Sequence, residues 1–164
     1  MRLILHPGHA KCGSSTVQFA MYSNIDQLER EHVFVPNRRF EFPVDGQAYR
    51  ERLGNPVHYF ESIDNADDVA AFERKLVAVL DAIRSAGGEK VVISAENLSN
   101  QPGITIRRPV HEVLARHFPD TRVVFYVRRQ DEWMVSSWQQ WGHKLGWSLE
   151  RHIEKGIEDH RPDF

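Results

Sequence analysis

Leu3-Ile4-Leu5-His6-Pro7-Gly8-His9-Ala10-Lys11-Cys12-Gly13-Ser14-Ser15-Thr16 is the stretch on which the fold turns. Leu3 to Leu5 form a short apolar run that reads as a buried strand. A loop carrying Gly8 and Gly13 follows, and a helix is predicted from about Ser14 to Asn24. A glycine-bearing loop that opens a helix is a ready anion site. The first turn has unpaired backbone N–H groups and the positive end of the helix dipole. Gly8 and Gly13 have the Gly-x4-Gly spacing of a nucleotide-binding P-loop, a pattern that puts lysine directly after the second glycine. Here Ser14 holds that place, and Lys11 lies two residues before Gly13. The sequence thus describes a phosphate loop with its cation displaced, whose ligand need not be ATP.

Outward from this loop, His32 to Val35 read as a second strand, ended by Pro36. Residues 36–63 carry Pro36, Pro43, Gly46, Gly54 and Pro56 with no clear period. Segments of that length are either lids and binding loops or surface excursions. Val69, Phe72, Leu76, Val79, Leu80 and Ile83 then recur at helical spacing. Asp64 or Asn65 can cap this helix, and Gly87-Gly88 can end it. Lys90 to Ser94 are almost continuously apolar, as in a parallel sheet covered on both faces. A short helix is predicted from Pro109 to His117, with Pro109 in its first turn and Val110, Val113 and Leu114 inward. Arg122 to Val127 read as another buried strand. A helix from about Asp131 to Trp141 and a weak one from Leu149 to Lys155 complete the pattern.

Alternating strands and helices predict an α/β fold, a P-loop-type three-layer sandwich with a central parallel sheet flanked by helices. In such sheets ligands bind beyond the carboxyl ends of the strands. Three of those ends carry chemistry: the 6–16 loop, Ser94-Ala95-Glu96-Asn97, and Arg128-Arg129-Gln130-Asp131.

The 164 residues fit a single domain spanning 1–164, with ordinary hydrophobic (41%) and charged (27%) content. A formal charge of −2 argues against bulk nucleic-acid or anionic-membrane binding. One cysteine, Cys12, precludes an intrachain disulfide. No apolar run approaches the ~20 residues of a membrane span, and the N-terminal apolar run is too short for a signal peptide. A cytoplasmic setting is expected. No carboxylate–histidine spacing suggests a metal.

Arg128 supplies a second anion signal. It follows a strand, and Ser136 lies eight residues on, about two helical turns. A guanidinium and a hydroxyl so spaced can converge on one phosphate. The plainer alternative pairs the arginines with Asp131 or Glu132 as solvated ion pairs.

Together these residues resemble the P-loop sulfotransferase family, especially its bacterial members. The family's first motif, roughly Pro/His-Lys-x-Gly-(Ser/Thr)-(Ser/Thr) after a first strand, is matched by Ala10-Lys11-Cys12-Gly13-Ser14-Ser15-Thr16, with Val17-Gln18 following in the family manner. Its second, an arginine and a serine eight residues apart, is matched by Arg128 and Ser136 within Tyr126 to Trp138. Ser94-Ala95-Glu96-Asn97 is also similar to the family. The resemblance implies the donor 3′-phosphoadenosine 5′-phosphosulfate, the product adenosine 3′,5′-bisphosphate, no metal, and a glycan or other hydroxylated small-molecule acceptor. It implies that Lys11, Cys12, Gly13, Ser14, Ser15 and Thr16 hold the 5′-phosphosulfate, and that Arg128 and Ser136 hold the 3′-phosphate. Family members continue beyond the second motif, so the chain is expected to lack a C-terminal part.

Lys11 is the expected catalytic cation, stabilising charge on the bridging oxygen and leaving phosphate. Glu96 is the first candidate for general base and His9 the second. For Glu96 the alternative is a structural carboxylate paired with Arg107 or Arg108. His6 is expected to pack or hydrogen-bond at the strand end. Trp133, Trp138, Trp141 and Trp147 offer a sugar-stacking surface, but for Trp133, Trp138 and Trp141 the helical spacing favours a core or interface stripe. The competing functions are a P-loop nucleotide kinase or NTPase and a catalytically inactive nucleotide-binding fragment.

Overall fold

The computed structural model describes residues 1–8, 11–99 and 104–158. The chain divides into two compact units, Met1–Tyr126 and Val127–Phe164. The first unit holds a sheet of four strands, β1 (Arg2–His6), β2 (Val33–Phe34), β3 (Lys90–Ser94) and β4 (Asp120–Val123). All are parallel, in the order β2-β3-β1-β4. The fold is therefore α/β with an all-parallel sheet.

After β1 come α1 (Ser14–Ser23) and α2 (Ile25–Arg30), leading to β2. The 36–63 segment contains α3 (Gln47–Arg50) and α4 (Val57–Glu61), and α5 (Ala66–Ser85) leads into β3. After β3, α6 (Ile104–His117) leads to β4. The chain leaving β1 goes to the β2 side of the sheet, whereas the chain leaving neighbouring β3 goes to the β4 side. That divergence marks the carboxyl ends of β1 and β3 as the place where such sheets bind ligands.

Alternation across the pleat gives β1 and β3 one buried face and one half-buried face. Leu3, Leu5, Val91 and Ile93 pack with Phe72, Leu76, Leu80 and Ile83 of α5 and Val110, Val113 and Leu114 of α6. Ile25, Val35 and Tyr49 form a separate cluster with Met21, Tyr22, Leu28, Leu53 and Val92. Val92 lies between Val91 and Ile93 and so faces the opposite way. The two clusters are consistent with helix layers on both sides.

The apolar stripe of α5 is placed as its spacing predicts. Asn65 caps it, its Oδ1 accepting from the Asp67 and Asp68 N–H groups at 2.9 and 3.0 Å. At the other end Gly87 is left-handed (φ 77°), and the Gly88 N–H donates to Ile83 O at 2.8 Å.

The structure differs from the sequence reading in three places. Residues 36–63 are neither a lid nor a plain excursion, because Phe40, Phe42, Tyr49 and Phe60 are fully buried. Phe40 stacks on Tyr59 at 5.1 Å and meets Phe42, Phe60 and Phe72 edge-on. Pro109 lies inside α6, which begins earlier, at Ile104. Arg122–Val127 is not buried: β4 ends at Val123 on the sheet's edge, its side chains exposed, and Val123, Phe125 and Val127 are 60%, 44% and 79% exposed.

The second unit holds α7 (Gln130–Ser137), a π-helical turn at Trp138–Gly142, and α8 (Leu149–Glu158). Trp133 and Ser137 are buried, while Trp141 is exposed, so the aromatic stripe is only partly internal. The Trp138 indole N–H donates to Trp147 O at 2.8 Å, and Ser137 Oγ lies 2.7 Å from His152 Nε2. Among the described residues no helix is long and apolar enough to cross a membrane.

Candidate anion-binding site

Three described residues after β1 have unusual backbone angles. Gly8, Lys11 and Gly13 are all left-handed, at φ 62°, 65° and 87°. Glycine holds such a conformation freely. Lys11 does so at a cost of roughly 1–3 kcal/mol, a strain characteristic of functional loops. Gly8 is also required by closeness. A Cβ there would lie 2.8 Å from Ser14 Oγ and 3.3 Å from Glu96 Cγ. The loop therefore folds back on the first residue of α1 and faces the turn after β3.

Helix α1 starts at Gly13 with no side-chain cap and no acidic residue in its first turn. Thr16 and Val17 N–H groups turn inward to Gly13 O at 3.0 and 3.3 Å. A ten-residue helix without a side-chain cap, at the carboxyl end of a central strand, has the positive end of its dipole there. Ser14 is buried, Ser15 and Thr16 are exposed, and Lys11 and Cys12 are half-buried. His9 and Ala10 lie outside the described residues.

Glu96 opens the turn after β3 and is half-buried. That turn is fastened on three sides. The Ser99 hydroxyl donates to Gly8 O, Asn97 Nδ2 donates to Val57 O at 2.7 Å, and His111 Nε2–H donates to Leu98 O at 2.9 Å. Arg108 does not pair with Glu96; it pairs with Glu112 at 3.0 Å. The side chain of Arg107 is not among those described.

Beneath the loop runs a buried polar chain. Asn55 Nδ2 donates to Gln18 Oε1 at 2.7 Å, Gln18 Nε2 donates to Ser94 Oγ at 3.2 Å, and Ser94 Oγ lies 2.8 Å from His6 Nδ1. His6 is 3% exposed, and burial holds its pKa below the usual 6.5, partly opposed by the charge of Glu96. Its Nε2 is buried without a hydrogen-bond partner. His6 thus hydrogen-bonds at the strand end, as its sequence position predicts. Gln18, Asn55 and Ser99 were not identifiable as loop supports, because each partner lies far away in sequence.

In the second unit Arg128 and Ser136 line one shallow hollow of about 320 Å³ with Asp131, Glu132, Val135 and Gln139. The two residues therefore line the same hollow. The plainer ion pairs are present too: Arg128 with Glu132 at 3.4 Å and Arg129 with Asp131 at 2.7 Å. The backbone N–H of Glu132, and then Arg129, hold the Asp131 carboxyl below its usual range. These pairs are solvent-exposed and correspondingly weak.

Among the described residues no group of histidine, cysteine, aspartate or glutamate is arranged to hold a metal ion. Comparisons with protein-family models, with curated proteins and with solved structures return no match.

Proposed function

We propose that the chain is a sulfotransferase of P-loop type, moving a sulfuryl group from 3′-phosphoadenosine 5′-phosphosulfate to a hydroxyl or amine of a glycan or small-molecule acceptor. One observation carries the reading. The uncapped α1 N-terminus and Glu96 flank Gly8 at the carboxyl ends of β1 and β3, with Gly8, Lys11 and Gly13 all left-handed. Cation, backbone donors and carboxylate are the parts such a transfer uses.

In this reading the N–H groups and hydroxyls of Gly13 to Thr16 hold the 5′-phosphate, with Cys12 alongside. Lys11 neutralises charge on the bridging oxygen as the sulfur–oxygen bond breaks. Glu96 takes the acceptor's proton as the new sulfur–oxygen or sulfur–nitrogen bond forms. Arg128 and Ser136 hold the 3′-phosphate and select this nucleotide over ATP. As in phosphoryl transfer, positioning and charge stabilisation dominate.

Calorimetric titration with adenosine 3′,5′-bisphosphate, beside ADP and ATP with and without Mg²⁺, tests this directly. The expected result is metal-independent binding of the bisphosphate in preference to the others. Preference for Mg-ATP would overturn the reading in favour of a kinase-like protein. Bisphosphate binding without sulfuryl transfer to any acceptor would mark a nucleotide-binding protein rather than an enzyme.

A further inference from the structure

The polar chain beneath the loop has a direction. Gln18 Oε1 accepts from Asn55, which leaves the Gln18 amide nitrogen facing Ser94 as a donor. Ser94 Oγ accepts that bond, so its own proton goes to its remaining neighbour, His6 Nδ1, at 2.8 Å. A neutral imidazole that accepts at Nδ1 carries its proton on Nε2. That nitrogen is the one left buried without a partner. The chain therefore ends in an unused N–H donor.

A carboxylate follows the neighbouring strand end. His6 pairs in register with Ser94, and the Ala95 N–H donates to His6 O at 3.1 Å, which sets Glu96 next along the chain. Two residues beyond His6, Gly8 approaches the Glu96 side chain. Tyr126 meets the ring edge-on at 5.5 Å. Among the described residues Glu96 is the charged group whose field acts on the ring.

We propose that His6 is a positioning residue for Glu96: held with its proton on Nε2 by Ser94, it keeps an N–H, unbonded in this structure, that the Glu96 carboxylate takes up when it turns toward the loop to act. The inference rests on Glu96 being the general base of the proposed transfer. It also places Gln18 and Asn55 in the same device, since they set the direction of the chain that fixes the His6 proton.

Nitrogen-15 spectra of the intact chain, labelled at histidine, test it, with the His6 signals assigned by their loss in His6→Gln. The expected result is a protonated Nε2 and an unprotonated Nδ1. Glu96→Gln is expected to move the Nε2 signal and to shift the ring's titration to lower pH. The lowered titration reports the field of Glu96 alone, whereas a response centred on Nε2 reports a bond to the carboxylate and would not arise from a purely structural histidine. A proton on Nδ1, or ring signals indifferent to Glu96→Gln in a folded sample, overturns the proposal. Titration of the same samples with adenosine 3′,5′-bisphosphate keeps the two readings apart. A chain that fails to bind it has lost the sulfotransferase reading, whereas the His6 assignment is decided by the spectra.

Discussion

Replacing Gly8 by alanine tests the loop at its tightest point. Two costs add. A left-handed residue with a Cβ costs about 1 kcal/mol relative to glycine. The new methyl would also stand 2.8 Å from Ser14 Oγ, closer than real Cβ contacts come. Ser14 is 2% exposed, so its hydroxyl has little room to give way. Overpacking of this kind costs roughly 1–3 kcal/mol, for a total of about 2–4 kcal/mol. Gly13 supplies the control. It is equally left-handed, at φ 87°, yet nothing lies within 4 Å of its would-be Cβ, so Gly13→Ala should carry only the backbone cost. A double-mutant cycle isolates the steric part. With Ser14→Ala in place, the nearest Ser14 atom to the Gly8 methyl is Cβ at 3.5 Å, an ordinary contact. The pair should therefore cost less than the sum of the singles by about 1 kcal/mol. Urea unfolding of the four proteins measures this, provided the slope stays constant. Equal losses for Gly8→Ala and Gly13→Ala, or strict additivity with Ser14→Ala, would refute the argument that the loop closes on Ser14.

Three further outcomes are expected. Arg128→Ala should weaken adenosine 3′,5′-bisphosphate binding by roughly 10- to 100-fold, the worth of a charge-assisted contact. It should barely affect ADP, and equal losses in calorimetry would remove the 3′-phosphate assignment. Asn65→Ala deletes the cap that accepts from Asp67 and Asp68, and should cost about 1 kcal/mol in urea unfolding; Asn65→Asp should cost little. Because burial lowers the His6 pKa below 6.5, the unfolded chain binds that proton more readily than the folded one. Stability should then fall as pH drops below about 6.5, and His6→Gln should flatten that part of the pH–stability curve.

The elements legible in the sequence are those whose burial is periodic. Leu3 to Leu5 and Val91 to Ile93 announce central strands because one face is buried and the other at least half-covered. The α5 stripe announces itself because Phe72, Leu76, Leu80 and Ile83 share one side. Residues 36–63 are opaque because Phe40, Phe42, Tyr49 and Phe60 enter the core from short irregular turns, which impose no period. The 122–127 run misleads for the opposite reason: its composition matches a covered strand, but neighbours decide coverage, and β4 has β1 on one side only. The candidate site divides in the same way. Lys11, Gly13 to Thr16, Arg128 and Ser136 are legible because local spacing sets their geometry. The His6–Ser94–Gln18–Asn55 chain is not, because its bonds join residues 37 to 88 positions apart.

The division at Tyr126 also sorts the chromophores. All four tyrosines (22, 49, 59 and 126) lie in the first unit, and all four tryptophans (133, 138, 141 and 147) in the second. Light absorbed only by indole reports on the Arg128–Ser136 hollow, while phenol absorption reports on the sheet and its loop. Burial raises the pKa of Tyr59 to about 12 and pushes Tyr22 and Tyr49 higher still, so their ionisation in alkali marks the opening of the first unit. The unmodified chain thus carries two spectrally separate gauges. Coincidence of the two on denaturation would mean that both units melt as one cooperative body, and divergence that each holds its own free energy.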